Sequence, residues 1–113
     1  MRLVLPALMS LTLAGAAFAQ AAPRVAIEDD VSHVNALKCA GLRAAQIKQA
    51  AAPDALLQAT YDAWMASLSH AGHDAGKIKQ DVDAEAAVLA SSSAEAKTAM
   101  ARGCTPFEIR AAG

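Results

Sequence analysis

The sequence predicts an all-α protein: a small bundle of three to four helices, stapled by one disulfide bond and preceded by a cleavable signal peptide. Three observations predict this class. The chain opens with an apolar stretch, apolar residues recur at helical spacing through the rest, and there are only two cysteines. β-branched and aromatic residues never alternate over a usable run, so no strand is expected.

The N-terminus has the pattern of a secretory signal. A basic start at Met1–Arg2 precedes the apolar residues 3–17, and Ala17 and Ala19 are the small residues of a cleavage site after Ala19. The predicted organisation is therefore a signal peptide at 1–19, an irregular lead-in at 20–29 and a helical domain at 30–113. The predicted location is periplasmic or secreted.

Charge and hydropathy exclude several classes of partner. The formal net charge of −1 is too balanced to imply nucleic acid or an anionic membrane as a partner, since both call for a basic patch. No second apolar run is long enough to span a bilayer, and neither cysteine lies at the cleavage site, so no membrane anchor is expected after cleavage.

Cys39 and Cys104, which are 65 positions apart, are predicted to form a disulfide bond in an exported protein. Closing a loop of this length stabilises the fold by about 4 kcal/mol in the chain-entropy model. Such a staple suits an alanine-rich chain whose core is thin. Two free thiols, catalytic or metal-binding, are the alternative; the absence of a Cys-x-x-Cys pair disfavours it.

The first helix is expected from near Val31, capped by Asp29 or Asp30, to Ala52. Gly41 marks either a close helix approach or a tolerated substitution. The expected apolar face consists of Val34, Leu37, Ala40, Ala44 and Ile47.

The second helix is expected to begin with Pro53 and Asp54 in its first turn, to run to about His70, and to stop at Gly72. Its apolar stripe is the clearest in the chain. The stripe is interpreted as core, with an apolar ligand pocket as the alternative, and comprises Leu57, Tyr61, Trp64, Met65 and Leu68.

The third helix is expected after a cap at Asp74, with Lys77–Asp81 and Lys79–Asp83 pairs on its solvated face. Its apolar face comprises Ile78, Val82, Glu85/Ala86 and Leu89, supported by Val88. A break at Ser91–Ser93, with a capping box from Ser92 to Glu95, is favoured over one continuous helix. A fourth helix would then run to Arg102, end at Gly103, and leave Cys104 just beyond it.

Candidate chemistry is sparse. His70 and His73, with Asp74 beside them, are the best metal candidates, but stable sites need at least three convergent ligands. The alternative is a histidine favoured at a helix C-terminus by the dipole, followed by a loop histidine. We therefore expect no metal, no cofactor and no catalytic set, and hence no enzyme.

The segments Leu37–Leu42, Tyr61–Trp64 and Gly103–Cys104 resemble those of a class of small exported two-cysteine helical bacterial proteins. The architecture is also similar to that of periplasmic acid-stress chaperones, in which one disulfide joins distant helices. Cys39 lies inside the first helix, and the cysteine spacing is longer than in those chaperones, so no residue role is carried over.

Two functions follow as expectations. The first is a binding or structural protein, a monomer or weak dimer, whose helical surface contacts an unknown protein or a small apolar ligand. The alternative is a conditional chaperone that unfolds in acid and exposes its apolar stripes. A histidine-based metal binder is the third reading.

Overall fold

The computed structural model describes residues 22–111. The elements in chain order are β1 (Arg24–Ile27), α1 (His33–Gln49), α2 (Ala55–His70), α3 (Ala75–Ala90), α4 (Ala94–Cys104), a 3-10 turn (Thr105–Phe107) and β2 (Glu108–Ala111). The helices and the Cys39–Cys104 disulfide bond confirm the stapled helical bundle. The predicted signal peptide at 1–19 lies outside the described residues.

The expectation of a purely helical domain is wrong, because β1 and β2 form a two-stranded antiparallel sheet. β1 lies inside the predicted irregular lead-in at 20–29, and β2 follows the last helix. Each strand has four residues, which is the shortest run over which alternation can indicate a strand, and Val25-Ala26-Ile27 is apolar throughout. Their pairing depends on the distant ends of the chain meeting in the fold.

The predicted boundaries of the first two helices are corrected by their caps. Ser32, and not Asp29 or Asp30, caps α1, with its hydroxyl accepting from the Asn35 N–H at 3.2 Å. α1 ends at Gln49 and not at Ala52. Asp54 precedes α2 as its N-cap, where its carboxylate accepts from the Leu57 N–H at 3.0 Å, so Pro53 lies outside the helix.

The two turns after α2 and α3 occur where the sequence predicts them. Gly72 has a φ of 84° and ends the α2 segment, and Asp74 caps α3. The serine break is also present, but Ser93 is the cap of α4, with its hydroxyl accepting from the Ala96 N–H. Ser92 instead donates to the Val88 carbonyl oxygen at 2.9 Å, so the predicted capping box is wrong.

The end of α4 also differs from expectation. The helix continues through Gly103 and includes Cys104 as its last residue. Gly103 therefore does not stop the helix, because it lacks the positive φ of a glycine terminator. The chain then tightens into the 3-10 turn, with Pro106 inside it, and this turn delivers β2 back to β1.

α1 is the central helix and packs against both α2 and α3. A Cβ built on Gly41 would lie 2.6 Å from the Glu85 Cβ and 3.1 Å from the Ala86 nitrogen, so Gly41 is a point of close approach between α1 and α3. Because α1 is covered on two sides, its buried face differs from the predicted stripe. Val34, which the sequence predicts on the apolar face of α1, is 59% exposed. Val88, predicted to support the apolar face of α3, is 63% exposed.

The outer face of α3 is solvated as expected. Ion pairs join Lys77 to Asp81 at 2.9 Å and Lys79 to Asp83 at 2.7 Å. The hydrogen bond that Lys79 donates to the Asp83 carboxylate raises the pKa of Lys79 above its ordinary value. In the described part of the chain, no helix combines the length and apolar character of a membrane span.

Candidate functional site

An open groove of about 490 Å³ lies between β1 and α2. This volume falls within the range of roughly 300–1,000 Å³ that is typical of ligand sites. We call it the β1–α2 groove. It is lined by Val25, Ala26, Ile27, Asp29, Val31, Ala63, Ala66, Ser67, His70 and Ala71.

α2 contributes its small-residue face to this groove. Ala63, Ala66 and Ser67 recur at three- and four-residue spacing, so they share one side of the helix. Trp64 and Leu68 lie on the core side and are fully buried. α2 therefore separates a core of large side chains from a shallow floor of small ones, which leaves room beside β1.

The free edge of β1 forms the other wall. Glu28 donates its N–H to the Phe107 carbonyl oxygen at 2.9 Å, which continues the ladder beyond Ile27. Main-chain groups in an antiparallel strand alternate in direction. Those of Val25 and Ile27 therefore point away from β2, toward an edge that is unpaired within residues 22–111.

A buried ion pair positions the sheet. Glu108, the first residue of β2, accepts from Arg43 Nε at 2.8 Å, from Arg43 Nη2 at 2.7 Å and from Trp64 Nε1 at 2.7 Å. Arg43 Nη1 donates to Gln46 at 2.8 Å. The Glu108 side chain is fully buried and that of Arg43 is 8% exposed. We call this cluster the Arg43–Glu108 anchor.

The anchor lies beside the disulfide bond on the same two chain segments. Cys39 and Cys104 have Cα atoms 5.7 Å apart and a sequence separation of 65, and Arg43 and Glu108 have the same separation. Each charged residue follows its cysteine by four positions. Arg43 and Glu108 were not identified from the sequence. The signal that could have revealed them is that residues of opposite charge lie four positions after each of two cysteines predicted to pair.

The predicted aromatic and apolar stripe of α2 does not line this groove. Trp64 and Leu68 are core, and Tyr61 and Met65 are half-buried against that core. Leu57 instead borders a second hollow of about 680 Å³ at the α1–α2 connection, which is mostly apolar. The helix face that lines the groove beside β1 has smaller side chains than the predicted stripe.

The histidines are placed differently from the predicted metal candidates. His73 lies against His33, with ring centroids 4.2 Å apart, and Asp74 uses its carboxylate as the α3 cap. His70 lies on the wall of the β1–α2 groove. Within residues 22–111, no group of three or more potential metal-ligating side chains occurs.

No family model, curated protein or solved structure matches this chain. The site is therefore interpreted from its own geometry.

Proposed function

We propose that this chain is an exported, non-enzymatic binding protein, and that the β1–α2 groove is its binding site. The observation that carries the proposal is the coincidence of two features in one hollow. A floor of small side chains lies next to a strand edge whose main-chain donors and acceptors are unpaired in the described part of the chain. The floor buries the surface of a bound ligand, and the polar groups of the strand edge fix its orientation.

The rigidity of the surrounding structure supports this choice of site. A two-stranded sheet is marginally stable alone. Here the disulfide bond and the Arg43–Glu108 anchor fix the segment around β2 to α1, and β2 in turn holds β1. A groove held in shape before binding loses less conformational freedom when it is occupied.

The proposal is tested by mapping with isopropanol, whose branched carbon skeleton imitates a valine side chain. In ¹⁵N NMR spectra of the oxidised protein, we expect amide shifts that cluster at Ala63, Ala66 and Ser67. Ala66→Leu should abolish them by filling the groove. Ala84→Leu, at an exposed position on α3, is the matched control and should keep them. Shifts confined to the hollow at the α1–α2 connection would contradict the proposal.

Export is tested separately. We expect the chain, expressed with residues 1–19 in a bacterium that exports through such signals, to be recovered from the periplasm with Gln20 as its first residue. Mass spectrometry of the intact protein measures this directly. An unprocessed chain that retains Met1 in the cytoplasm would contradict the export proposal.

A conditional chaperone remains the second candidate, supported by one observation. β2 is joined to α1 by a buried pair of opposite charges, Glu108 and Arg43, and such a pair becomes strongly destabilising once one of its charges is lost. Circular dichroism from pH 7 to pH 2, combined with a client aggregation assay, tests this candidate. An unchanged fold at pH 2 without client protection would eliminate it.

A further inference from the structure

We infer that the occupant of the β1–α2 groove is an extended peptide that pairs antiparallel with the free edge of β1 and becomes a third strand. This inference rests on the proposed function and specifies the class of its partner. An added strand is a known mode of peptide recognition, in which main-chain hydrogen bonds supply affinity and alternate side chains supply specificity.

Main-chain chemistry identifies a strand as the occupant. The main-chain groups of Arg24, Ala26 and Glu28 point to β2. Because the direction alternates along a strand, Val25 and Ile27 each direct one N–H and one C=O group toward the groove. An apolar small molecule cannot satisfy these alternating donors and acceptors. A peptide residue opposite each of these two positions can exchange both of its hydrogen bonds.

The floor of the groove selects side chains of moderate size. Residues of an added strand that lie opposite Val25 and Ile27 place their side chains on the same face of the sheet as those residues. That face packs on α2, so the two side chains would enter the space above Ala63, Ala66 and Ser67. Valine-sized apolar residues suit this floor.

Charge complementarity sets the direction of the peptide. Arg24 and Glu28 are both exposed and lie at opposite ends of the free edge. An antiparallel partner gains from a basic residue opposite Glu28 and an acidic residue opposite Arg24. From N- to C-terminus, the favoured peptide therefore reads basic, apolar, variable, apolar, acidic.

A second copy of this chain has the same charges but fits less well. Two β1 strands paired edge to edge would lie about 4.8 Å apart. Their α2 helices would then meet under one sheet face, although packed helices need roughly 8–10 Å between axes. A peptide without an attached helix avoids this conflict.

The test uses the oxidised mature protein and a capped synthetic probe, Lys-Val-Thr-Val-Glu, in a ¹⁵N NMR titration. We expect shifts at the Val25 and Ile27 amides together with slower hydrogen exchange there. The charge-reversed probe, Glu-Val-Thr-Val-Lys, has the same composition and should bind roughly threefold to tenfold more weakly.

N-methylation of the probe separates strand pairing from simple groove binding. Methylating either valine nitrogen should weaken binding by about tenfold or more, because those N–H groups face β1. Methylating the threonine nitrogen should change little, because that group faces away. Equal binding of the valine-methylated probes would overturn strand addition, and intact isopropanol shifts would leave the proposed groove standing.

Two other results would overturn the inference. Probe shifts at α2 alone would show that the edge of β1 is not used. Sedimentation equilibrium that shows a dimer broken by Ile27→Pro, in the absence of probe, would assign the edge to a second copy. Absence of both probe and isopropanol shifts would contradict the groove itself.

Discussion

The two strands of the small sheet are held in different ways. At the β2 edge, Glu108 is buried in an ion pair with Arg43, and the preceding Cys104 is covalently joined to Cys39. At the β1 edge, main-chain groups of Val25 and Ile27 face an open groove over small side chains. β2 is tied to the core through its first residue, whereas β1 borders the groove beside α2.

This contrast shows how a thin helical core can present a binding edge. Sheets of two short strands rarely persist alone. Here a disulfide bond and a buried ion pair hold β2 against α1, and β2 holds β1 through the hydrogen bonds of the sheet. The outer edge of β1 therefore stays ordered without a further strand. The following experiments test this contrast between a β2 that is held against the core and a β1 that borders the groove, from the largest expected effect to the smallest.

Removing the disulfide bond should have the largest effect. We expect the Cys39→Ala/Cys104→Ala variant to lose about 4 kcal/mol of the free energy of unfolding, since the unfolded chain regains the freedom of a 65-residue separation. Urea denaturation followed by circular dichroism measures the loss. A reduced wild-type protein with the same melting temperature as the oxidised one would contradict the expectation.

Breaking the Arg43–Glu108 anchor should cost about 3 kcal/mol or more, because Glu108→Gln leaves the Arg43 charge buried without a counter-charge. The same urea measurement applies. The double variant Arg43→Met/Glu108→Gln is the control, and it should recover most of the loss because neither charge remains and the glutamine oxygen can still accept from Trp64 Nε1. A double variant as unstable as Glu108→Gln would show that the ion pair itself, and not an uncompensated charge, governs stability.

Crowding the central helix should have an intermediate effect. Gly41→Ala is expected to destabilise the fold by about 1–3 kcal/mol, since its Cβ would meet the Glu85 Cβ at 2.6 Å. Gly103→Ala is the matched control, because it lies within α4 and its Cβ would have no neighbour within 4 Å. That variant should be neutral or slightly more stable. Equal losses in the two variants would contradict the close approach of α1 and α3.

The direction of the main-chain groups in β1 gives the smallest and most selective effect. Ala26→Pro removes an N–H that faces β2 and should cost about 1 kcal/mol more than Ile27→Pro, whose N–H faces the groove, once the loss of the half-buried Ile27 side chain measured for Ile27→Ala is subtracted. Thermal unfolding compares the two variants. The loss measured for Ile27→Ala is subtracted from that of Ile27→Pro, because both variants lose the half-buried side chain. If the remainder exceeds the loss in Ala26→Pro, the N–H of Ile27 faces β2 and not the groove.

Local sequence signals explain the helices well. The Asp74 cap, the Gly72 turn and the serine break each depend on chemistry within a few residues, and each lies where it was expected. The caps at Ser32, Asp54 and Ser93 were displaced by one to three positions, because several neighbouring side chains can accept the same N–H. Competition between neighbouring capping residues therefore limits how accurately the helix ends are predicted, but the prediction that the segment is helical is unaffected.

The sequence by itself determined a bundle of three to four helices, with a break favoured at the serines, and two cysteines suited to a disulfide bond. Only the tertiary structure decided the sheet, the Arg43–Glu108 anchor and the β1–α2 groove. Each of these depends on residues tens of positions apart: Ile27 meets Glu108, and Glu108 meets Trp64 and Arg43. Helix signals act within a turn of chain, whereas strand pairing and buried charge need partners that the folded chain alone brings together.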